Sequence, residues 1–169
     1  MSRCCLQHRL FYLCSCMRVL FVCLGNICRS PMAEGIFNHL LAEMNLVGKA
    51  SCDSAGTAAF HIDCQPDLRA QQICYNNGIQ LKHKARIITP EDFNLFDLIV
   101  CMDRSTQNNV KRIAPDNYHS QVVLLRNYDE TATTDDVPDP YYGSIRNFEE
   151  VFDILKKSCS DFLRQHMLQ

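Results

Sequence analysis

A cysteine and an arginine stand six positions apart in the stretch VLFVCLGNICRSPM, residues 19–32. A cysteine thiolate is a strong nucleophile, and an arginine guanidinium can hold two oxygens of a phosphate group at once. The spacing alone would be weak in a chain with eleven cysteines, but only Cys23 among them has an arginine, Arg29, six residues later. The pair therefore indicates a site where a thiol attacks a bound oxyanion.

The residues around this pair predict a strand, a tight turn and a helix. The nearly continuous apolar run from Met17 to Cys23 is typical of a strand buried in a parallel sheet. After the turn, Ser30 can act as the helix N-cap, and Pro31 takes the favoured first helical position. Such a turn directs backbone N–H groups and the positive end of the helix dipole toward one point. Phosphate fits there, and the same groups favour the thiolate form of Cys23.

Three residues of the turn have properties that suit this arrangement. Gly25 permits a tight turn, and Asn26 can take a left-handed backbone conformation. The hydroxyl of Ser30 can donate a hydrogen bond to the sulfur of Cys23. A buried cysteine alone is usually a small core residue, so it is the combination of residues that favours the oxyanion site.

Strands alternate with helices along the rest of the chain. This order predicts an α/β fold, a three-layer doubly wound four-stranded parallel sheet with helices on both faces and the flavodoxin-like order 2-1-3-4. Ligands of such sheets bind at the carboxyl ends of the strands. The further strands are expected in 50–54, 97–102 and 121–125, and the helices in 30–48, 66–77, 105–113 and from 148 onward, with a helical turn at 89–91.

Length and composition favour one globular domain. The chain has 169 residues, 47% of them hydrophobic, and a formal net charge of -2, which gives no indication of a nucleic-acid partner. Its eleven cysteines lack the spacing of a disulfide framework and predict a reducing compartment, the cytoplasm. Arg18 interrupts the longest apolar stretch, so we expect a soluble protein without a membrane span.

Residues 1–17 form an extension that precedes a single domain of residues 18–169. We expect this extension to be disordered or packed on the surface. Arg3 and Arg9 before a short apolar run resemble a signal peptide faintly, but no small-residue cleavage site follows. A true start at Met17 and acylation are the remaining interpretations, the cysteines concerned being Cys4, Cys5, Cys14 and Cys16.

Several motifs occur together in the order typical of one enzyme family. CLGNICRSPMAE resembles the active-site loop of the low-molecular-weight protein tyrosine phosphatases, and the resemblance extends from Arg18 to the C-terminal helix. It implies an enzyme that hydrolyses phosphotyrosine in proteins or small aryl phosphates, with acid phosphatase activity, and that binds phosphate and other oxyanions. The later matching segments are DSAGT at 53–57, HKAR at 83–86, FDLIVCMD at 96–103 and DPYYG at 139–143.

The resemblance also implies roles for individual residues. Cys23 forms a phosphocysteine, Arg29 and the loop amides stabilise its charge, and Asp139 serves as general acid and base. No metal and no cofactor is implied. The side chains that support the loop are Asn26, Ser30, Ser54 and His83. The phosphate loop, as we call it, comprises Leu24, Gly25, Asn26, Ile27, Cys28, Arg29 and Ser30.

By the same resemblance, aromatic residues form a substrate slot above the loop. Tyr141 and Tyr142 line one side of it, and Phe60 lines the other, so that a phosphotyrosine ring stacks between them. A deep slot excludes phosphoserine, whose phosphate cannot reach Cys23. Cys28, the second cysteine of the loop, has two interpretations. It packs within the loop, or it traps the oxidised nucleophile as a reversible disulfide, as in family members with this cysteine, which implies redox regulation.

Two other functions share parts of this pattern. A thiol-dependent arsenate reductase has the same loop but needs a relay of further cysteines, whereas Cys64, Cys74 and Cys101 lie on separate elements. A catalytically silent phosphotyrosine-binding module would lack Cys23 or Asp139, and this chain contains both. The phosphatase is therefore the favoured interpretation.

Potential metal ligands follow the DSAGT segment. His61, Asp63 and Cys64 are close in sequence, but no second ligand pair accompanies them at a suitable spacing. We interpret this segment as a surface loop. Asp135 and Asp136 are likewise interpreted as solvated charges of the long loop that precedes Asp139. We expect the protein to be a monomer.

Overall fold

Four parallel strands form the centre of the molecule. The structure is a computed structural model that describes residues 16–118 and 120–168. The strands lie in the order β2-β1-β3-β4, which confirms the predicted fold class and strand order. Their bounds are β1 Met17–Cys23, β2 Ala50–Gly56, β3 Leu98–Cys101 and β4 Gln121–Leu124.

Helices connect the strands and cover both faces of the sheet. Within the described residues there are five α-helices, and one 3-10 helix that follows β4 directly. Their bounds are α1 Arg29–Glu43, α2 Leu68–Asn76, α3 Asp92–Leu95, α4 Arg104–Ile113 and α5 Ile145–Met167, with the 3-10 helix at Leu125–Tyr128.

Strand β1 shows why its sequence is apolar at nearly every position. Val19 and Phe21 lie in the larger core, which includes residues of α1, α2 and α5. Leu20 and Val22 lie in the smaller core, together with residues of α3 and α4. Successive side chains of a strand point to opposite faces of the sheet. Because both faces are covered, both sets of side chains are apolar.

Aromatic contacts join two helices to the central strand. The ring of Phe37 in α1 meets that of Phe21 edge to face, with 5.4 Å between centroids. On its other side Phe37 meets Phe162 of α5 at 5.8 Å. All three side chains are completely buried, which contributes on the order of 2 kcal/mol each. These contacts hold the middle of α1 between the sheet and α5.

The carboxyl ends of the strands meet at one edge of the sheet. Cys23, the last residue of β1, pairs with Gly56 of β2, and Val22 pairs with Cys101 of β3. The segments that follow these strands therefore begin side by side. Ile87 also forms a bridge to Gly56, so the segment at 86–88 reaches the same edge. A ligand of a doubly wound sheet binds at this edge.

The first helix differs from the prediction at both ends. It begins at Arg29, so Ser30 is not its N-cap, and the Ser30 hydroxyl contacts side chains of the turn instead. The helix ends at Glu43 rather than near Gly48. The reason is Asn45, whose backbone is left-handed with φ 56° and therefore cannot continue a helix.

Other boundaries shift for local reasons. Helix α2 begins at Leu68, because the Asp67 carboxylate accepts a hydrogen bond from the Arg69 amide and caps the helix. Helix α5 begins three residues before Phe148, where Ser144 and Asn147 form a capping box. The helical turn expected at 89–91 is found at 92–95, and β2 continues to Gly56.

Most of the N-terminal extension, residues 1–15, lies outside the described residues, and so do the predictions made for it. Cys16 and Met17 are described. Of these, Cys16 is a free thiol, and Met17 begins β1 and pairs with Ala50. In the described ranges 16–118 and 120–168, no helix has both the length and the apolar character needed to cross a membrane.

Candidate active site

Cys23 stands at the point where β1 meets the phosphate loop. Its side chain is almost completely buried, with 3% of the residue exposed. The sulfur lies 3.0 Å from the hydroxyl oxygen of Ser30 and accepts a hydrogen bond from the Asn26 amide at 3.3 Å. The Asn26 amide stabilises negative charge on the sulfur, and the Ser30 hydroxyl lies within hydrogen-bond distance of the sulfur, the partner that the sequence predicts for it.

Asn26 shapes the loop through an unusual backbone conformation. Its φ is 55°, so Asn26 rather than Gly25 provides the left-handed residue of the turn. Gly25 is small for another reason, because a Cβ atom there would lie 3.1 Å from the ring of His61. Gly56 also lacks room for a side chain, since a Cβ atom would lie 2.9 Å from the Leu24 carbonyl oxygen.

Side chains from three other segments hold Asn26 in place. Its amide group donates to the hydroxyls of Ser30 at 2.9 Å and Ser54 at 3.0 Å. Its carbonyl oxygen accepts from the ring Nε2 of His83 at 2.7 Å and from the Arg86 amide at 2.9 Å. The structure thus brings together all four residues expected to support the loop.

Glu34 is a further member of this network that the sequence analysis missed. Its carboxylate accepts a hydrogen bond from Ser54 at 2.7 Å and lies 3.1 Å from Nδ1 of His83. Glu34 follows Ser30 by four residues in α1, so both face the same side of the helix. That spacing is the signal that could have identified it. By fixing the Ser54 hydroxyl, Glu34 leaves that oxygen free to accept from Asn26.

Arg29 is buried, and its positive charge lies in the cavity beside Cys23. One guanidinium nitrogen donates to Asp103 at 2.5 Å and to the Val137 carbonyl at 3.0 Å, and the other donates to Asp139 at 2.9 Å. Burial opposes this charge, but the negative charges of Cys23, Asp139 and Asp103 outweigh burial and raise the pKa of Arg29. Arg29 therefore remains a cation beside Cys23.

Asp103 is a second residue that the sequence analysis did not single out. It caps α4 by accepting from the Thr106 amide at 2.6 Å, and it pairs with Arg29. Burial works to raise the pKa of Asp103, yet the Thr106 amide and the Arg29 charge more than compensate and lower it. The match of FDLIVCMD, which ends in Asp103, was the only signal for this role.

Asp139 lies in the segment of residues 137–143, which we call the acid loop. Its carboxylate is 45% exposed, so one side contacts Arg29 and the other remains accessible. Its Oδ1 atom accepts a hydrogen bond from the Tyr141 amide at 3.1 Å. Asp135 and Asp136 point away to Arg104, which agrees with their interpretation as charges outside the site.

One cavity of about 160 Å³ unites these groups. Phe60 and Tyr142 are 78% and 97% exposed, so they form its rim, whereas Tyr141 lies deeper. The structure therefore brings the sequence-predicted nucleophile, acid and aromatic residues to a single site. The cavity is lined by Cys23, Leu24, Gly25, Ile27, Cys28, Arg29, Phe60, His61, Asp139, Tyr141 and Tyr142.

His61 also lines this cavity, although the sequence analysis placed it in a surface loop. Its ring lies 6.0 Å from that of Tyr141, centroid to centroid, and it packs against Gly25. Its position directly after Phe60 was a signal for this location. Asp63 and Cys64 are exposed and do not line the cavity.

The second cysteine of the loop, Cys28, is buried and lines the same cavity. Burial, followed by the negative charge of Asp67, raises the pKa of Cys28 far above its usual range. Cys28 therefore remains a neutral thiol at physiological pH. The two thiols of the loop thus differ in their surroundings, since Cys23 accepts a backbone hydrogen bond and lies beside Arg29.

A group that could ligate a metal lies behind the phosphate loop. In the part of the chain that the structure describes, Glu34, Asp53 and His83 are the one group of three such ligands within 4.8 Å. Each already has a protein partner: Ser54 for Glu34, Arg86 for Asp53 and Asn26 for His83. These contacts make the group an ion-pair network that supports the loop.

The fold and the site together define a class of enzyme. A buried thiol at the end of a parallel strand, a guanidinium at the start of the following helix and a carboxylate across the cavity form the site of a cysteine-dependent phosphatase. Comparison with known proteins specifies the family. Residues 18–169 match the family model described as "Low molecular weight phosphotyrosine protein phosphatase".

Individual relatives agree with this match. The human low molecular weight phosphotyrosine protein phosphatase is 40% identical over 149 residues, which cover 87% of this chain and 94% of the relative. A crystal structure of a protein tyrosine phosphatase from Entamoeba histolytica has a TM-score of 0.84 and 36% identity, covering 88% of this chain and 96% of that one. A structure titled Drosophila arginine phosphatase has a TM-score of 0.85 and 33% identity, with 89% and 98% covered.

The chain therefore belongs to the low-molecular-weight protein tyrosine phosphatases, as its motifs predict. It is a cysteine-dependent hydrolase of phosphotyrosine. The arsenate reductase and the catalytically silent binding module, which share parts of the pattern, are set aside by this membership. Both Cys23 and Asp139 line the cavity.

The hydrogen bonds of Asn26 predict a measurable effect. Asn26→Ala removes four hydrogen bonds and places alanine in a left-handed conformation, so we expect the free energy of unfolding to fall by about 3 kcal/mol. Because the loop loses its shape, vanadate should bind on the order of tenfold more weakly. Urea denaturation and vanadate titration provide the two measurements.

Asn45→Ala is the matched control for this substitution. Asn45 has nearly the same φ, 56°, but is exposed at the end of α1. Asn45→Ala should lower the free energy of unfolding by about 1 kcal/mol, because only the backbone strain is added, and it should leave vanadate binding unchanged. Equal vanadate affinity in both variants would show that the side chain of Asn26 does not shape the site.

Proposed function

We propose that Cys23 is the nucleophile and Asp139 the general acid and base of this phosphatase. The thiolate sulfur attacks phosphorus, the bond from phosphorus to the tyrosine oxygen breaks, and Asp139 gives its proton to the leaving phenolate. Water then attacks the phosphocysteine and transfers a proton to Asp139, which releases phosphate and restores the thiolate. The observation that carries the proposal is the shared cavity of Cys23, Arg29 and Asp139.

Arg29 and the phosphate loop stabilise the charge of the transferred group. A guanidinium binds two phosphate oxygens in a planar fork, and loop amides bind the others. Support comes from the buried position of Arg29, whose orientation is fixed by Asp103 and the Val137 carbonyl. Because Asp103 and the Val137 carbonyl hold the guanidinium before substrate arrives, its orientation needs little reorganisation in the transition state.

The substrate is phosphotyrosine because of the shape and chemistry of the slot. Tyr141 and Tyr142 stand on one side and Phe60 on the other, and all three line the cavity that contains Cys23. An aromatic ring stacks between such side chains, whereas the short phosphoserine side chain gains no such contact. Small aryl phosphates meet the same requirements and serve as substrates.

Phosphoarginine is the second candidate substrate, and the structural similarity to the Drosophila arginine phosphatase is the observation that favours it. A guanidinium is planar and stacks on aromatic rings, and it also leaves with a proton. The slot therefore accepts the shape of either group. The phenol ring buries more apolar area than the guanidinium, so phosphotyrosine remains the first choice.

We further propose that residues 18–169 act as one cytoplasmic domain. The support is that the eight cysteines among the described residues are all free thiols, which fits a reducing compartment. The family match spans these same residues. Because Cys23, Arg29 and Asp139 of a single chain complete the cavity, a monomer suffices for activity.

Redox regulation by Cys28 is also proposed. A peroxide oxidises the Cys23 thiolate to a sulfenic acid, and the Cys28 thiol then displaces water to form a disulfide. Two electrons leave the pair and reduce the peroxide. Support comes from the location of both thiols in the same loop and from burial, which keeps Cys28 protonated and leaves Cys23 as the first target.

Replacement of the nucleophile tests the reaction. Wild-type protein should release phosphate from a phosphotyrosine peptide much faster than from matched phosphoserine or phosphoarginine peptides. Cys23→Ser should lose at least about 1,000-fold in turnover while still binding phosphate or vanadate, because Arg29 and the loop remain. Phosphate release and isothermal titration measure the two properties. Substantial turnover by Cys23→Ser would remove the assignment.

The acid role of Asp139 predicts a dependence on the leaving group. Asp139→Asn cannot donate a proton, so kcat/KM should fall on the order of 100-fold for phenyl phosphate. For p-nitrophenyl phosphate, whose phenolate is far more stable, the loss should be only a few-fold. Steady-state rates across a series of aryl phosphates give the slope. Equal losses across the series would reject this role.

Reversible inactivation tests the role of Cys28. After peroxide treatment and then dithiothreitol, wild-type protein should recover most of its activity, and Cys28→Ser should recover little because its sulfenic acid oxidises further. Peptide mass spectrometry should identify the Cys23 to Cys28 disulfide. Cys64→Ser, which changes an exposed cysteine outside the cavity, is the control and should behave like wild type. Equal recovery by both variants would contradict the proposal.

A further inference from the structure

Arg69, on the first turn of α2, contacts the acid loop although it does not line the cavity. One guanidinium nitrogen donates to the Gly143 carbonyl at 2.8 Å, and the other donates to the Tyr141 carbonyl at 2.9 Å. The guanidinium also lies over the ring of Phe148, at 4.4 Å from its centroid. Arg69 therefore binds both ends of the tight turn that follows Asp139.

This turn is continuous with the carboxylate of Asp139. The Tyr141 amide donates to Asp139, and the Gly143 amide donates to the Pro140 carbonyl. A displacement of Tyr141 or Gly143 would therefore move the carboxylate as well. Gly143 packs closely against α5, since a Cβ atom added there would lie 2.5 Å from Oδ1 of Asn147.

On its other side Arg69 is held by Asp67. The Asp67 carboxylate accepts from Nε at 3.0 Å, from Nη2 at 2.8 Å and from the Arg69 amide at 2.8 Å. The amide of Asp67 in turn donates to the carbonyl of Ile27, in the phosphate loop, at 2.8 Å. A chain of direct contacts thus leads from the phosphate loop through Asp67 and Arg69 to the acid loop.

The geometry of the contacts between Asp67, Arg69 and the acid loop distinguishes them from an ordinary surface ion pair. Exposed pairs contribute little to stability, because two mobile side chains lose entropy to meet. Here the planar fork binds a carboxylate that is only 13% exposed, two carbonyls and an aromatic ring, so its orientation is fixed. Hydrogen bonding to Arg69 also lowers the pKa of Asp67, so the pair stays ionised at physiological pH.

We propose that Arg69 is a positioning residue for the general acid: by joining the acid loop to the phosphate loop, it sets the distance from the Asp139 carboxyl to the group attached to Cys23. The inference rests on the proposed role of Asp139. Proton transfer to the leaving oxygen requires hydrogen-bond distance, and a misplacement of about 1 Å is costly. The effect of Arg69 therefore concerns proton transfer more than binding.

The test compares substrates that need the acid with substrates that do not. Arg69→Gln should lower kcat/KM about tenfold or more for phenyl phosphate and less than about threefold for p-nitrophenyl phosphate. Vanadate affinity should stay close to that of wild type. Arg69→Lys keeps the positive charge but not the planar guanidinium that donates to several acceptors at once. Its kcat/KM should therefore lie between the values of wild type and Arg69→Gln.

Arg104→Gln provides the matched control. Arg104 is an exposed arginine that also pairs with an aspartate near the acid loop, Asp135, but contacts neither Tyr141 nor Gly143. Arg104→Gln should leave the dependence of kcat/KM on the leaving group unchanged. Thermal denaturation of each variant shows whether it is folded, and Arg69→Lys keeps the test valid if Arg69→Gln does not fold.

A double substitution separates positioning from a general structural effect. If Arg69 acts through Asp139, Arg69→Gln combined with Asp139→Asn should depend on the leaving group no more than Asp139→Asn alone. Additive losses in the double variant, or equal losses on both substrates in Arg69→Gln, would overturn the inference. If Asp139→Asn instead loses the same kcat/KM on every aryl phosphate, the proposed role of Asp139 as the general acid is overturned. If the loss in kcat/KM depends on the leaving group for Asp139→Asn but not for Arg69→Gln, the inference about Arg69 is overturned and the proposed role of Asp139 stands.

Discussion

Asn26 adopts a left-handed backbone conformation in the middle of the phosphate loop, and four hydrogen bonds to its side chain hold it there. This conformation costs energy for any residue other than glycine, so the surrounding contacts have to compensate for it. They come from β2, from α1 and from the segment at 83–86. The shape of the anion site therefore depends on contacts from the sheet and its first helix, and it is a property of the whole fold.

The second constraint is the buried charge of Arg29. An arginine side chain that is 5% exposed requires partners of opposite charge, and Asp103 and Asp139 provide them. The two carboxylates differ in exposure, at 17% and 45%, so Asp103 is the fixed partner and Asp139 is the one that faces the cavity. The network that orients Arg29 toward phosphate thus includes the group proposed to transfer the proton. Anion binding and acid catalysis share one electrostatic unit.

The sequence was informative wherever the signal is local or periodic. The apolar run of β1 and the alternation of strands with helices predicted the parallel sheet, because a strand covered on both faces has no polar positions. Helix boundaries were less certain. Ser30 resembled an N-cap, but its hydroxyl contacts Cys23 and Asn26, and Asn45 ended α1 before Gly48. In both places a tertiary contact or a single backbone angle outweighed the local preference.

The sequence by itself predicted the nucleophile Cys23 and the guanidinium of Arg29 from residue types and their spacing, and it predicted the acid Asp139 through the resemblance of its motifs to one enzyme family. It did not lead to Glu34, His61, Asp103 or Arg69 as neighbours of the site, because the signals for the first three name no contact partner and Arg69 has no signal. Their contacts reach residues 20 to 80 positions away along the chain, and a local sequence pattern does not show which distant residue a side chain will meet. Only the tertiary structure decided them, because the sheet brings the ends of separate strands together at one edge and so places distant side chains within hydrogen-bond range.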